Sequence, residues 1–234
     1  MNASDVQLAT ILQTQGNIEH YHVPKYQREY TWGRNEWEQL LNDIEENEIG
    51  YFMGSIICID DNSELAPGVS RIFELVDGQQ RLTTISILML AIYKAYLAID
   101  TAELDEDDEE YEEYKLTLSN IRKQLVHKKS SIAKSETGYF KEKDKYCFLR
   151  IQPSTQRSNY NDYLHILAEL GLIKGNCNSK FCGIRRLCKA YTYFYENIPH
   201  TLSELNKLLN KINCLMFIIY IAQQNICNMF HLTK

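Results

Sequence analysis

The run from Leu82 to Leu97, LTTISILMLAIYKAYL, constrains the fold more than any other stretch. Nearly every position is apolar, so the helix it predicts has no face for water and must be buried all round. Other elements have to be wrapped about it. Just upstream, Phe73, Leu75 and Val76 supply strand-forming bulk, and Asp77-Gly78-Gln79-Gln80-Arg81 makes a sharp polar turn into the helix. Gly78 tolerates a positive φ, and Asp77 is placed to cap the helix. Uncapped N–H groups at a helix start beside Arg81 form an anion site. The alternative is an ordinary strand-to-helix turn with a capping aspartate and a surface arginine.

Other segments read as partners for that helix. Asp5 to Gln15 has apolar residues at Val6, Leu8, Ile11 and Leu12 and reads as a short helix. Asn17 to Tyr26 is extended in character, and Pro24 biases Val23 away from helix. Asn35 to Asn47 places Trp37, Leu40, Leu41 and Ile44 on one helical face, leaving its acids on a face read as solvated. Tyr51 to Ile59 reads as a strand whose internal Gly54-Ser55 marks a bulge or a close backbone approach. A loop over Asp60 to Ser70, with Pro67-Gly68, would set Ile56–Ile59 antiparallel to Ile72–Val76.

The second half differs in kind. Leu116 to Val126, Asn161 to Leu170, Gly183 to Tyr195 and Thr201 to Ile212 read as helices. A β-like piece falls at Glu142 to Ile151, a loop at Gly171 to Cys182, and a buried strand at Cys214 to Ala222, a run far too short to span a bilayer. The fold class is α+β: a small mixed β-sheet with flanking helices, followed by a mostly helical portion. This divides the chain into an α/β portion at 1–99, an acidic linker or helix end at 100–113, and a mostly helical portion at 114–234.

Charge follows the same division. Residues 1–99 carry 6 Lys and Arg against 14 Asp and Glu, a net of −8. Residues 100–113 hold 10 acids and no base, and residues 114–234 hold 19 bases against 7 acids, a net of +12. The basic half suits a polyanion such as DNA, or a solvated helical surface that answers the acidic half. Seven cysteines are scattered without a CxxC pair, so free thiols in a reducing cytoplasm are expected. Met1 to Gln15 is mixed and polar, unlike a signal peptide. The loosely clustered Cys177, Cys182 and Cys188 offer a zinc role as the alternative to free thiols, without a zinc-ribbon signature, and there is no GxxxxGK[ST], no GxGxxG and no His-Asn-His nuclease spacing.

Two polar-aromatic clusters remain, Pro24–Trp32 and Asp77–Thr84. Arginines, glutamine amides and backbone N–H groups suit them to holding phosphates and orienting water. In order, VPKYQREYTW, WEQLLNDI, YFMGSIICI and LVDGQQRLTTISILMLAI resemble the N-terminal domain family of GmrSD-type modification-dependent restriction systems. That family is related to the ParB and sulfiredoxin-like fold.

The resemblance covers roughly residues 15–97 and implies an NTP-binding and NTP-hydrolysing regulatory domain in defence against phage DNA. The nucleotide is GTP, ATP or CTP, carried with Mg2+. In ParB-like relatives a Pro-x-x-Gln box and a Gly-x-x-Arg box face the nucleotide. Here these fall on Pro24, Gln27 and Arg28, and on Gly78 and Arg81. The implied catalytic set is Asp77, Gln79, Gln80 and Arg81: Arg81 on phosphate, Asp77 capping the turn or holding a Mg2+ water, a glutamine orienting the attacking water. Tyr26, Tyr30, Gly54, Ser55, Thr83 and Thr84 complete the implied nucleotide-binding set, and Trp32 either packs the base or joins the core. Family members carry a downstream His-Asn-His nuclease that this chain lacks, and its ending, IAQQNICNMFHLTK, reads as truncated or as relying on a separate nuclease. The competing readings are a DNA-binding or protein-interaction module in which DGQQR is a structural turn, and an inactive remnant.

Overall fold

A computed structural model describes residues 2–12, 19–60, 70–101, 109–132, 137–174 and 182–223. The expected loop at Pro67-Gly68, most of the acidic run, most of the loop at Gly171 to Cys182, and the C-terminal IAQQNICNMFHLTK beyond Gln223 lie outside them.

The central helix, α3 (Gln79–Leu97), buries 16 of its 19 residues. Only Arg81, Lys94 and Leu97 keep appreciable exposure, as an almost unbroken apolar sequence requires. It packs on α4 (Glu109–Leu125), α6 (Arg186–Asn197) and α7 (Leu202–Asn213). The remaining α-helices among the described residues are α1 (Leu8–Ile11), α2 (Arg34–Glu46) and α5 (Asn159–Glu169). Amphipathic α2 turns Trp37, Leu40, Leu41 and Ile44 inward, as their spacing predicts.

Six strands form a mixed sheet in the order β1 (Asn2–Gln7), β9 (Met216–Gln223), β3 (Phe52–Asp60), β4 (Arg71–Asp77), β2 (Glu19–His22) and β8 (Ile151–Gln152). The expected antiparallel pairing of β3 with β4 is present, with Cys58 opposite Leu75 and Asp60 opposite Phe73. On its other side β3 pairs parallel with β9, and the register shifts between Phe52 and Gly54, at the glycine that the sequence marks for a bulge. A second, antiparallel sheet joins β5 (Val126–Lys129), β7 (Lys145–Leu149) and β6 (Tyr139–Glu142). Residues 1–99 therefore share their sheet with two strands from the second half, β8 and β9. Ile56, Phe73, Leu75, Phe217 and Ile219 of the sheet belong to the same core as α3.

Three expectations need correction. The N-terminal segment is a strand with one helical turn behind it, because Asn2–Gln7 pairs along β9 and tertiary pairing overrides a weak helical pattern. Asp77 does not cap α3. It ends β4 on the surface, and Gly78 is the N-cap residue, at φ 84° without a side-chain cap. The cysteines are not all free: Cys182 and Cys188 form a disulfide with Cα atoms 5.4 Å apart, while Cys58, Cys147 and Cys214 remain thiols.

Candidate functional site

The Gly78 turn is tight because of what lies beneath it. A Cβ at Gly78 would stand 3.2 Å from the Ser55 carbonyl oxygen and 3.2 Å from Ile56, at a φ that side chains resist. The turn thus sits directly on β3, and the first residues of α3 project toward the segment between Val23 and Trp32. Gln79 is buried and donates its amide to Gln27 Oε1 at 3.0 Å, and Gln27 in turn donates to the Val76 carbonyl at 2.9 Å. Gln80, also buried, treats the segment as a strand would. Its Nε2 donates to the Glu29 carbonyl at 2.9 Å, and its Oε1 accepts from the Thr31 N–H at 2.9 Å.

One turn further along α3, the Thr84 hydroxyl lies 2.9 Å from the Tyr30 hydroxyl, which also accepts from the Trp37 indole at 2.8 Å. Burial pushes the Tyr30 phenol far above its ordinary range, so it stays protonated in this network. From the second half, Gln156 donates to the Gln27 carbonyl at 2.8 Å and Arg186 donates to the Thr31 carbonyl. The two clusters singled out in the sequence, some fifty residues apart, are therefore laced together.

Arg81 faces the other way. Its Nη1 donates to the Ser55 carbonyl at 3.2 Å, and its guanidinium lies against Gly54, where a Cβ would stand 3.0 Å from Nη1. Gly54 has φ 114°, so the absent side chain serves both the backbone turn and the seat of the arginine. Arg81 then opens onto a cleft of about 340 Å³ lined also by Trp32, by Asn35, Glu36, Gln39 and Asp43 of α2, and by Tyr51, Phe52 and Met53 at the start of β3. Hydrogen bonds from backbone N–H groups, that of Gly33 foremost, hold the Glu36 carboxyl below its ordinary range, so it is ionised at neutral pH. One arginine, two carboxylates and three aromatic rings around a small cleft suit a polar ligand with both charge and a flat face.

The structure divides the residues expected at the site. Arg81 and Trp32 line the cleft, and Gly54 and Ser55 seat the Arg81 guanidinium. Gln27, Gln79, Gln80, Tyr30 and Thr84 form the lacing behind it, while Thr83 and Pro24 are buried. Tyr26, Arg28 and Asp77 are exposed outside the cleft lining. The α2 contribution was missed in the sequence. Asn35, Gln39 and Asp43 recur every four residues, which stacks them on one helical face, a signal hidden by reading that face as merely solvated.

The domain is α+β, and Arg81 of the Asp77–Arg81 turn and Trp32 of the Pro24–Trp32 segment line one cleft. The model of the family "GmrSD restriction endonuclease, N-terminal domain" matches residues 8–232, nearly the whole chain, and the chain belongs to that family. The match includes the strands and helices of the second half, so the family domain extends well beyond the four blocks recognised in the sequence. Among curated proteins, none matches the chain. No helix among the described residues is long and apolar enough to cross a membrane.

Proposed function

We propose that the Arg81 cleft binds a nucleoside triphosphate and that the domain uses it to regulate a modification-dependent restriction system acting on phage DNA in the cytoplasm. The observation that carries this reading is the seat of Arg81. A guanidinium held against a side-chain-free Gly54 and bonded to the Ser55 carbonyl is preorganised to meet phosphate oxygens. Trp32, Tyr51 and Phe52 offer flat apolar surface for the base. Glu36 or Asp43 would offer a carboxylate oxygen to Mg2+, which would neutralise phosphate charge when bound.

Under this reading Gln79 and Gln80 position the Pro24–Trp32 segment, and hydrolysis would draw its water-orienting group from the cleft lining. DNA cleavage belongs to a nuclease domain or subunit that partners this one. The test is thermal unfolding of the intact chain with Mg2+ and GTP, ATP or CTP in turn. Ligand at a hundredfold excess over Kd stabilises the folded state by about 2.7 kcal/mol. Arg81→Ala should abolish that shift while melting like the wild type without nucleotide. If no nucleotide stabilises the wild-type chain, the reading fails.

A further inference from the structure

A second recess of about 320 Å³ lies on the other side of the Glu29–Thr31 segment and shares no residue with the Arg81 cleft. Glu29, Tyr30, Asn159, Ile184, Arg185 and Arg186 line it. We propose that it is a phosphate-binding site for the backbone of DNA, built from Asn159, Arg185, Arg186 and the start of α5.

Four observations converge there. The first is Asn159 itself, only 6% exposed, whose Nδ2 has no hydrogen-bond partner. A buried donor left unmatched is costly, and an acceptor entering the recess removes that cost. The second is the helix that Asn159 opens. Its N-cap residue, Ser158, adopts φ 73° and provides no side-chain cap; the Asn159 N–H is taken by the Gln156 carbonyl, so the helix start contributes the positive end of its dipole. The third is the pair of arginines. Arg185 is fixed by its 2.7 Å ion pair with the fully buried Asp162, and Arg186 by its bond to the Thr31 carbonyl. Both side chains are held in place by these bonds, so little of their freedom is lost when a guanidinium meets a phosphate. The fourth is the local frame: Cys182 and Cys188, with Cα atoms 5.4 Å apart, close the turn that carries both arginines.

Charge selects the kind of phosphate. Glu29 also lines the recess and leaves it, with two arginines, a charge balance suited to a single phosphate group. Both arginines come from residues 114–234, which carry a net +12 and would attract a polyanion from a distance. The shared chemistry is still a phosphate oxyanion, and a free nucleotide is the other source to be distinguished.

The experiment uses the intact chain and a short fluorescein-labelled duplex DNA, read by fluorescence anisotropy across a salt series. Arg186→Gln keeps a donor for Thr31 and removes the charge. Asn159→Asp is nearly isosteric and favours a helix start, yet sets a carboxylate against the anion. Each should weaken DNA binding about tenfold, and Arg186→Gln should lower the slope of log K against log salt by about 0.9. A parallel arm measures thermal stabilisation by inorganic phosphate and by each Mg2+-nucleotide, with Arg81→Ala as the control for the other cleft. Loss of phosphate or nucleotide stabilisation in both variants, with DNA binding intact, overturns the DNA assignment and gives the site to a free nucleotide. Wild-type behaviour of both variants in every arm, or a wild-type chain that binds neither DNA nor phosphate, overturns the site. Because Arg81 takes no part in this recess, failure of the nucleotide reading appears only in the Arg81→Ala control.

Discussion

Gln80→Ala is the most informative single change, because the structure makes Gln80 a fastener where a sequence reading makes it a catalyst. The substitution removes a 2.9 Å donor bond to the Glu29 carbonyl and a 2.9 Å acceptor bond from the Thr31 N–H. Each is worth about 1 kcal/mol net, and a backbone group left without its partner adds up to about another 1 kcal/mol between them, since both are only partly buried. The better helix propensity of alanine returns a few tenths of a kcal/mol. The expected loss is about 2 kcal/mol, concentrated in docking of residues 29–31 onto α3. Hydrogen exchange at the Thr31 amide should accelerate about 30-fold, the factor that corresponds to about 2 kcal/mol, and the urea midpoint should fall. Gln80→Glu keeps the acceptor, loses the donor and faces a carbonyl with a carboxylate. It should therefore be worse than alanine at neutral pH and recover as acid restores the proton. Thr31 exchange and urea stability both at wild-type values in Gln80→Ala would refute the fastening role.

Three further outcomes follow from the same structure. Gly54→Ala forces a side chain into φ 114° and against the Arg81 guanidinium, so stability should drop by about 1–3 kcal/mol and nucleotide-dependent stabilisation should vanish, both read by thermal melts. His20 and His22 are held neutral by burial, with the His22 imidazole pushed down to about 4. The unfolded chain takes up protons near pH 6.5 while the folded one resists, so urea stability should decline as pH falls from about 6.5 toward 4, and His22→Gln should flatten that decline. Reducing the Cys182–Cys188 disulfide opens a loop with a sequence separation of 6 and should cost about 2 kcal/mol in urea unfolding with and without dithiothreitol.

Much of the sheet and the central helix was legible because local pattern and tertiary placement agree there. The unbroken apolar run of α3, the inward face of α2 and the β3–β4 hairpin each follow from residues close in sequence. What stayed hidden depended on distance. Nothing within Asn2–Gln7 announces a strand, because its pairing partner is some two hundred residues away in β9. Asp77 carries the side chain of a cap, yet the positive φ at Gly78 leaves the turn without a side-chain cap. The glutamines of DGQQR were visible as special, but whether they face a ligand or a backbone depends on where Glu29 and Thr31 run. The arginine of the same turn was read as a ligand group from its neighbours alone, and Gly54 explains why it has room.

The position of β9 between β1 and β3 has a consequence for how the molecule comes into being. During synthesis β3, β4 and α3 emerge long before Met216–Gln223, and at about 5–20 residues per second the wait is on the order of 10 seconds. Throughout that interval the growing chain presents the bare edge of β3, with its unpaired backbone groups, to everything around it. The sheet can close only when the late strand slides in parallel beside β3 and receives β1 on its far side. A stalled ribosome or a cut ahead of Met216 would leave that slot open, so β9 is also the chain's guard against sticking to its own kind.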